Sequence, residues 1–461
     1  MKAIKGSGMN MNKDLYEEFA TSLINSHQTQ AAIIAINKQR YEGSFGYRDQ
    51  EKQLPVTTDT ILGIGSITKS MTSIAILQLQ EIGKVSVHDT IKTYIPEITF
   101  EGSDDITLHH LLTHTSGIPP LNTLFYANKE SMEKDGSFDL QIKMGVPLDR
   151  EQKTINHYED LIAYLNEIEF SALDQPGHSF SYSNDGYALL GMIIERVSEL
   201  SYEVYIEKNI FEPLGMKNSF FHLDRIDEQA ACLYSVDPFT ATVEPSPVWW
   251  DAPPMRPAGY AKSTVDDMLR FGDVFLKEGS GILTLKSLDM LTSKHIEAEP
   301  GVYYGYGLLI IPDYFGKTLI THGGSIKGAS AQFAVLPDSD IAGICLTNMA
   351  GAPAEALLKG AVQCEMNIEP DKVALEYEDY VLSETDRHAI IGTYQSSEGL
   401  TIKVYEKDTT LIVEFQGNEM PHRSVGQRAV TITMQGTEFL LQFSDDRLHF
   451  GLKQLLKLKN G

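Results

Sequence analysis

Between Thr60 and Gly83 the chain leaves an extended run, Thr60-Ile61-Leu62-Gly63-Ile64, and enters an apolar helix through Gly65-Ser66-Ile67-Thr68-Lys69. A β-type segment must here hand over directly to a helix that carries Met71, Ile74, Ala75, Leu79 and Ile82 at three- and four-residue steps. Ser66 and Lys69 stand i and i+3, on one face and one turn apart. The lysine amine can therefore reach the serine hydroxyl, and an amine whose pKa is lowered by burial can act as its base. Ser66 also lies beside the free backbone N–H groups of a helix N-terminus, which can stabilise an oxyanion. The plainer reading makes Ser66 an N-cap and Lys69 a solvated first-turn residue. The pair alone does not decide between the two.

Upstream, Lys13 to Asn25 places Leu15, Phe19, Leu23 and Ile24 on one face, which predicts an amphipathic helix. Ala31 to Ile36 reads as an apolar strand, Asn37-Lys38-Gln39 as a turn and Tyr41 to Tyr47 as the returning strand. Downstream, Thr107 is placed to cap a short helix over 108–112. His110 and His114 are four apart, but no glutamate follows the first and no third ligand is near. Packed or hydrogen-bonded histidines are expected there, and no metal. Residues 120–160 have no clear period and read as an excursion able to form a lid or one wall of a cleft. Phe180 to Asn184 precedes an apolar helix from Tyr187 to Leu200, and Thr264 caps another helix. Leu319-Ile320-Thr321 leads as a strand into His322-Gly323-Gly324-Ser325, and 331–336 with 341–346 predict an antiparallel hairpin. From Ile390 onward, strand-like runs recur about every ten residues: Thr401–Tyr405, Leu411–Phe415, Val430–Met434, Phe439–Phe443 and Leu448–Leu452. Turn signals such as Gly417-Asn418 and Gly436 separate them, which predicts an all-β barrel or sandwich.

Three distant stretches present polar groups at the ends of regular elements. Ser66 and Lys69 form the first. Tyr182 and Asn184 form the second, two residues apart in an extended stretch and so pointing the same way. His322-Gly323-Gly324 is the third, where glycines at a strand edge admit close approach to a ligand. Trp249 and Trp250 stand in a proline-rich loop, as packed surface anchors or as the lining of a substrate pocket. A formal net charge of −25 argues against a nucleic-acid partner. Cys232, Cys345 and Cys364 are too far apart to indicate a zinc site or a disulfide framework. No run has the length of a membrane span, and residues 1–12 lack the apolar core of a secretory signal, so a cytoplasmic location is expected.

In their order and spacing these stretches resemble the motifs of the penicillin-binding-protein-like serine hydrolases, which include class C β-lactamases, DD-peptidases, D-aminopeptidases and esterases. Ser66-Ile67-Thr68-Lys69, Tyr182-Ser183-Asn184 and His322-Gly323-Gly324 stand where that family has its three motifs. Leu111 to Gly117, Pro176-Gly177, Ser183 to Tyr187, Pro213 to Met216 and Leu346-Thr347-Asn348 match its framing segments. The resemblance implies an α+β fold: an antiparallel sheet flanked by helices, plus a helical lobe, in a catalytic domain over 1–368. A linker over 369–384 and a C-terminal all-β lipocalin-like barrel over 385–461 would follow. It further implies an acyl-enzyme on Ser66, proton transfer by Lys69 and Tyr182, and an oxyanion hole from the backbone N–H groups of Ser66 and Ser325. Asn184, His322, Gly323 and Gly324 would contact substrate, and no metal or organic cofactor is required. The expected partner is a small molecule or short peptide, and a homo-oligomer is compatible with the family. Penicillin-recognising members commonly carry lysine at the position of His322, whereas the aminopeptidase and esterase branches carry histidine. A peptidase or amidase acting on small peptides, D-residue peptides included, is the leading expectation. A carboxylesterase or weak β-lactamase, and a catalytically silent binding protein, are the alternatives.

Overall fold

The computed structural model describes residues 12–37, 40–408, 410–434 and 437–458, and its contacts divide the chain into two compact units. One takes in Met1–Val87, Leu190–His295 and Tyr304–Ala374; the other takes in His88–Leu189, Ile296–Tyr303 and Leu375–Gly461. The Lys38-Gln39 part of the predicted turn, the Gly436 turn signal and nearly all of 1–12 lie outside the described residues.

In the first unit an antiparallel sheet runs in the order Leu54–Pro55, Tyr41–Asp49, Ala31–Ile36, Ile341–Thr347, Ala329–Leu336, Lys317–Ile326, Leu309–Tyr314. The three central strands, Ala31–Ile36, Ile341–Thr347 and Ala329–Leu336, are buried along their whole length, so they read as apolar runs rather than alternating ones. Ala342 and Gly343 are consecutive in a strand and point to opposite faces. A Cβ built on Gly272 would come within 2.7 Å of that of Ala342, while one built on Gly343 would come within 2.9 Å of Leu358. The helices Val265–Leu276 and Ala354–Glu365 therefore cover opposite faces of the sheet. Phe333 anchors the first of these faces, with ring centroids 5.6 Å from Phe271 and 5.8 Å from Phe275. Lys13–Ser26 packs on Ala354–Glu365. It buries Tyr16, Ala20 and Ile24 and leaves Leu15 exposed, so its buried stripe is rotated from the face expected from Leu15 and Leu23.

In the second unit, Thr107 caps the Leu108–Leu112 helix in a capping box with His110. The excursion at 120–160 folds into three short helices, Thr123–Ala127, Lys129–Lys134 and Ser137–Lys143. The C-terminal segment opens with the helix Glu384–Ile390 and from Gly392 onward is all-β, as expected: among the described residues nine antiparallel strands begin the order at Asn418–Glu419 and end it at His422–Gly426. These two edges are separated in sequence by only Met420 and Pro421, so the sheet must roll until its ends nearly meet. Met420 N–H bonds to Val413 O on one side, and Pro421 O accepts from Thr433 N–H on the other. Proline has no N–H to continue a ladder. Among the described residues no pairing joins the two edges, so the sheet is rolled without the hydrogen-bonded closure of the expected barrel. Its alternating inner residues, Ile402, Val404, Val413, Val430, Ile432, Leu441, Leu448 and Leu455, form one core. The expected strand Leu448–Leu452 is corrected: the strands are Arg447–Phe450 and Lys453–Lys457, turning at Gly451, whose φ is +55°.

Phe333→Ala empties the centre of the first sheet and is expected to cost about 3–5 kcal/mol in urea unfolding. Val381→Ala, at a side chain 92% exposed, is expected to stay within about 0.5 kcal/mol of the parent.

Candidate active site

The extended run before Ser66 shortens to Leu62–Gly63, paired with Lys262–Ser263. Gly65–Ile67 then makes one 3-10 turn that continues into the helix Thr68–Glu81. Two glycines make the turn possible. Gly65 has φ +51°, and a Cβ there would lie 2.5 Å from the Ser325 amide nitrogen. A Cβ on Gly324 would lie 2.0 Å from Ile64 O. Without side chains at 65 and 324, the strand Lys317–Ile326 lies directly against the Ser66 turn and brings the Ser325 N–H to it.

The helix that follows is buried on nearly every side, from Thr68 to Leu79; only its end is wet, with Ile82 66% exposed rather than packed as expected. Lys69 has no exposed surface. Its Nζ lies 3.1 Å from Ser66 Oγ and donates to Ala258 O at 2.5 Å. The plain reading of a solvated lysine is therefore excluded, and the N-cap positions of the turn and the helix fall on Ile64 and Ile67 rather than on Ser66. Burial pushes the Lys69 pKa well below the ordinary lysine range, because a low-dielectric site penalises the ammonium. A neutral amine beside a half-buried hydroxyl can take its proton.

His322 is also buried and lies inside the strand Lys317–Ile326. Its Nδ1 lies 2.6 Å from Gly323 O, which can only accept, so Nδ1 carries the proton. The neutral ring then offers Nε2 to the Tyr304 hydroxyl at 3.2 Å. Burial first, then the neighbouring Lys69 when it is protonated, push the His322 pKa down to about 4. Trp249 sits beside Gly63 and the Ile326 end of this strand, and Lys327 Nζ lies 5.0 Å from the centroid of the Trp250 ring. The first unit thus brings together Ser66, Lys69, His322, Gly323, Gly324 and Ser325, with Trp249 and Trp250 at the strand's end.

Tyr182 and Asn184 belong to the second unit. Tyr182 is extended and Asn184 begins the helix Asn184–Ser198, earlier than the start expected at Tyr187. Both line a small concavity with Leu121, Leu124, Glu398 and Lys453, so the 120–160 excursion contributes a wall to it. His114 holds this stretch from within. Its carbonyl accepts from Ser181 N–H at 2.9 Å, its Nδ1 accepts from Ser183 N–H at 3.1 Å, and its ring lies 4.2 Å from that of Tyr182. A φ of +57° at this non-glycine residue marks a conformation kept by its surroundings. The histidine pair is thus a hydrogen-bonded one, with Nδ1 of His110 accepting from Thr107 N–H. The C-terminal sheet holds the same stretch from the other side: Tyr182 N–H donates to Leu452 O at 2.9 Å, and Gln454 Nε2 donates to Phe180 O at 2.9 Å.

Ala258, Leu452, Gln454 and Tyr304 escaped the sequence reading. The first two act through backbone carbonyls, which leave no trace in residue type. His114 stands in the sequence as a framing residue within Leu111 to Gly117 and as half of a metal-like spacing, neither of which signals its hold on Ser181 and Ser183.

The buried neutral His322 has a consequence for stability. Its folded pKa lies below its unfolded one, so the unfolded chain gains a proton first as pH falls from about 6.5 towards 4, and stability is lost across that window. His322→Gln is expected to lose less stability than the parent between pH 7 and pH 4, by about 2–3 kcal/mol. Paired thermal melts read the difference, and equal slopes would refute the neutral buried ring.

The fold has well-matched relatives among solved structures. The octameric penicillin-binding protein homologue from Pyrococcus abyssi superposes with a TM-score of 0.70 at 27% identity, covering 97% of this chain and 100% of that one. SurE shows the same fold at 18% identity, with a TM-score of 0.71 over 97% of this chain and 99% of its own. Penicillin-binding protein 4* of Bacillus subtilis is 26% identical over 337 residues, 70% of this chain and 68% of the relative. Protein flp of Staphylococcus aureus is 26% identical over 326 residues, 69% of this chain and 58% of the relative's length. A family model described as Beta-lactamase matches residues 24–363, and the chain belongs to that family, among the serine hydrolases of the β-lactamase and penicillin-binding-protein superfamily.

Proposed function

We propose that this protein is a serine peptidase or amidase that forms an acyl-enzyme on Ser66 and acts on small peptides, D-residue peptides included. The observation that carries the reading is the buried Lys69 amine 3.1 Å from Ser66 Oγ. Ser66 Oγ attacks the substrate carbonyl while its proton passes to Lys69 Nζ. The tetrahedral oxyanion is held by the backbone N–H groups of Ser66 and Ser325. Collapse expels the amine, which leaves with a proton, and water then releases the acid. Tyr182 is assigned a share of the proton transfer, and Asn184 contact with the substrate amide, on motif resemblance alone. His322, Gly323 and Gly324 form the strand edge along which the substrate lies, and Trp249 with Trp250 bound its end.

The neutral state of His322 favours one second reading, a carboxylesterase. A strand edge without the fixed cation of penicillin-recognising relatives gains little from a substrate carboxylate, and an ester needs none. The domain limits 1–368, 369–384 and 385–461 are retained as a proposal, with the last segment shaping specificity through its hold on Phe180 and Tyr182. The octameric state of the Pyrococcus abyssi relative supports self-association here too.

One experiment tests the assignment. A fluorophosphonate probe is expected to label Ser66 in the parent, and Lys69→Ala to slow labelling by about 10²–10⁴-fold with little loss of stability. A parallel panel of D-aminoacyl anilides, short-chain esters and a cephalosporin sorts amidase from esterase and β-lactamase. A folded parent that never labels would overturn the acyl-enzyme, and unslowed labelling of Lys69→Ala would overturn the role of the lysine.

A further inference from the structure

We infer that Arg256, clamped between Asp251 and Glu203, is a positioning residue for Lys69 and acts through the backbone carbonyl of Ala258. The inference rests on the proposed roles of Ser66 and Lys69 and goes beyond them, because none of the three clamp residues belongs to the family motifs.

The guanidinium meets Asp251 as a fork, with Nε 3.0 Å from Oδ1 and Nη2 2.5 Å from Oδ2, and its Nη1 lies 2.5 Å from Glu203 Oε1. Arg256 is 8% exposed and Glu203 7%. Buried charges are tolerated only when paired and hydrogen-bonded. Here two carboxylates face Arg256, and burial first of all pushes the nearby Lys262 down to about 8, with Asp251 drawing it up and Arg256 drawing it down.

What this cluster fixes is a short piece of backbone. Arg256 opens the four-residue helix Arg256–Gly259, too short to hold itself in place. The segment from 257 to 261 lies along the Ser66 turn and its helix at four hydrogen bonds. Thr72 Oγ1 donates to Pro257 O at 2.7 Å, and Lys69 Nζ to Ala258 O at 2.5 Å. Ala261 N–H donates to Thr68 Oγ1 at 3.3 Å, and Ile64 N–H to Ala261 O at 3.0 Å. Gly259 sits so close that a Cβ there would come 3.3 Å from Ser66 N. Glu203 follows Tyr202, whose hydroxyl meets Thr72 Oγ1 at 2.8 Å, so the clamp grips the same helix from a second side.

The consequence concerns the direction of one lone pair. A neutral amine that gives one N–H to Ala258 O has its orientation restricted, and its lone pair can then face Ser66. If the carbonyl shifts, the amine turns more freely on a long side chain. Misplacement by about 1 Å in such a geometry costs about 10²-fold in rate. The carbonyl also favours the ammonium over the amine, so its loss lowers the Lys69 pKa further.

Arg256→Lys keeps the charge and removes the fork. Its Ser66 labelling by a fluorophosphonate is expected to slow about 10- to 100-fold at pH 8. The ascending limb of its pH–rate profile is expected to move to lower pH. A purely structural role would lower the melting temperature and leave that limb where the parent has it. Glu203→Gln, which keeps the Asp251 fork, provides the second variant and is expected to move the limb the same way by less. Folded variants that label at the parental rate with the parental limb would overturn the positioning role. A parent that does not label at all would overturn the acyl-enzyme reading instead.

Discussion

Keeping the Lys69 amine out of water is the constraint around which the first unit is arranged. An ammonium taken wholly out of water costs several kcal/mol, and the two neutral oxygens nearest Lys69, Ser66 Oγ at 3.1 Å and Ala258 O at 2.5 Å, do not carry the charge that would offset it. The lower-energy solution is to bury it as a neutral amine, which is also the form that can accept a proton. Burial thus makes the base and removes its own penalty in one step. It explains why Thr68–Glu81 is dry on almost every side, although Thr68, Ser70, Thr72 and Ser73 are polar: their hydroxyls bond to helix or cradle carbonyls, so they can be buried without orphaned groups. It also explains why two glycines stand at 65 and 324, since a dry amine requires the neighbouring strand to close on the turn without side chains between them.

The same dryness sets the character of the strand edge. His322 shares the desolvation of Lys69, and burial lowers the pKa of both, with Lys69 adding to the shift of His322. Both groups are therefore held neutral, and on the proposed reading a substrate would meet no fixed positive charge at this point, which would suit an uncharged amide or ester carbonyl better than a carboxylate; the cation further along is Lys327, over Trp250.

Much of this was legible in the chain itself. Ser66 and Lys69 are local to one turn, so their spacing predicted their contact. The Thr107 cap, the hairpin of 329–336 with 341–347 and the all-β C-terminal segment depend on neighbours in sequence, and patterns of that kind survive translation into structure. What failed depends on distant partners. Leu15 and Ile82 continue apolar stripes yet are 39% and 66% exposed. The run Leu448 to Leu456 is apolar enough to hide its turn, and only the φ of Gly451 splits it into two strands. Ala258 could not be foreseen, because a carbonyl that positions an amine 189 residues away has no residue type of its own.

The second unit makes the same point about backbone groups. Tyr182 lies in a stretch without a regular element of its own, so its amide and its neighbours' need partners from elsewhere. His114 supplies two from within the lobe, its backbone carbonyl to Ser181 N–H and its ring Nδ1 to Ser183 N–H. Leu452 and Gln454 supply two more from the rolled sheet nearly three hundred residues downstream. A buried donor stripped of its acceptor costs about 1–3 kcal/mol, so breaking the contact between Phe180 to Tyr182 and the turn at 451–454 is expected to be destabilising on that scale wherever the freed group stays dry. The C-terminal sheet thus meets the Tyr182 stretch at two fixed points, the amide of Tyr182 and the carbonyl of Phe180, both held at the turn between Arg447–Phe450 and Lys453–Lys457.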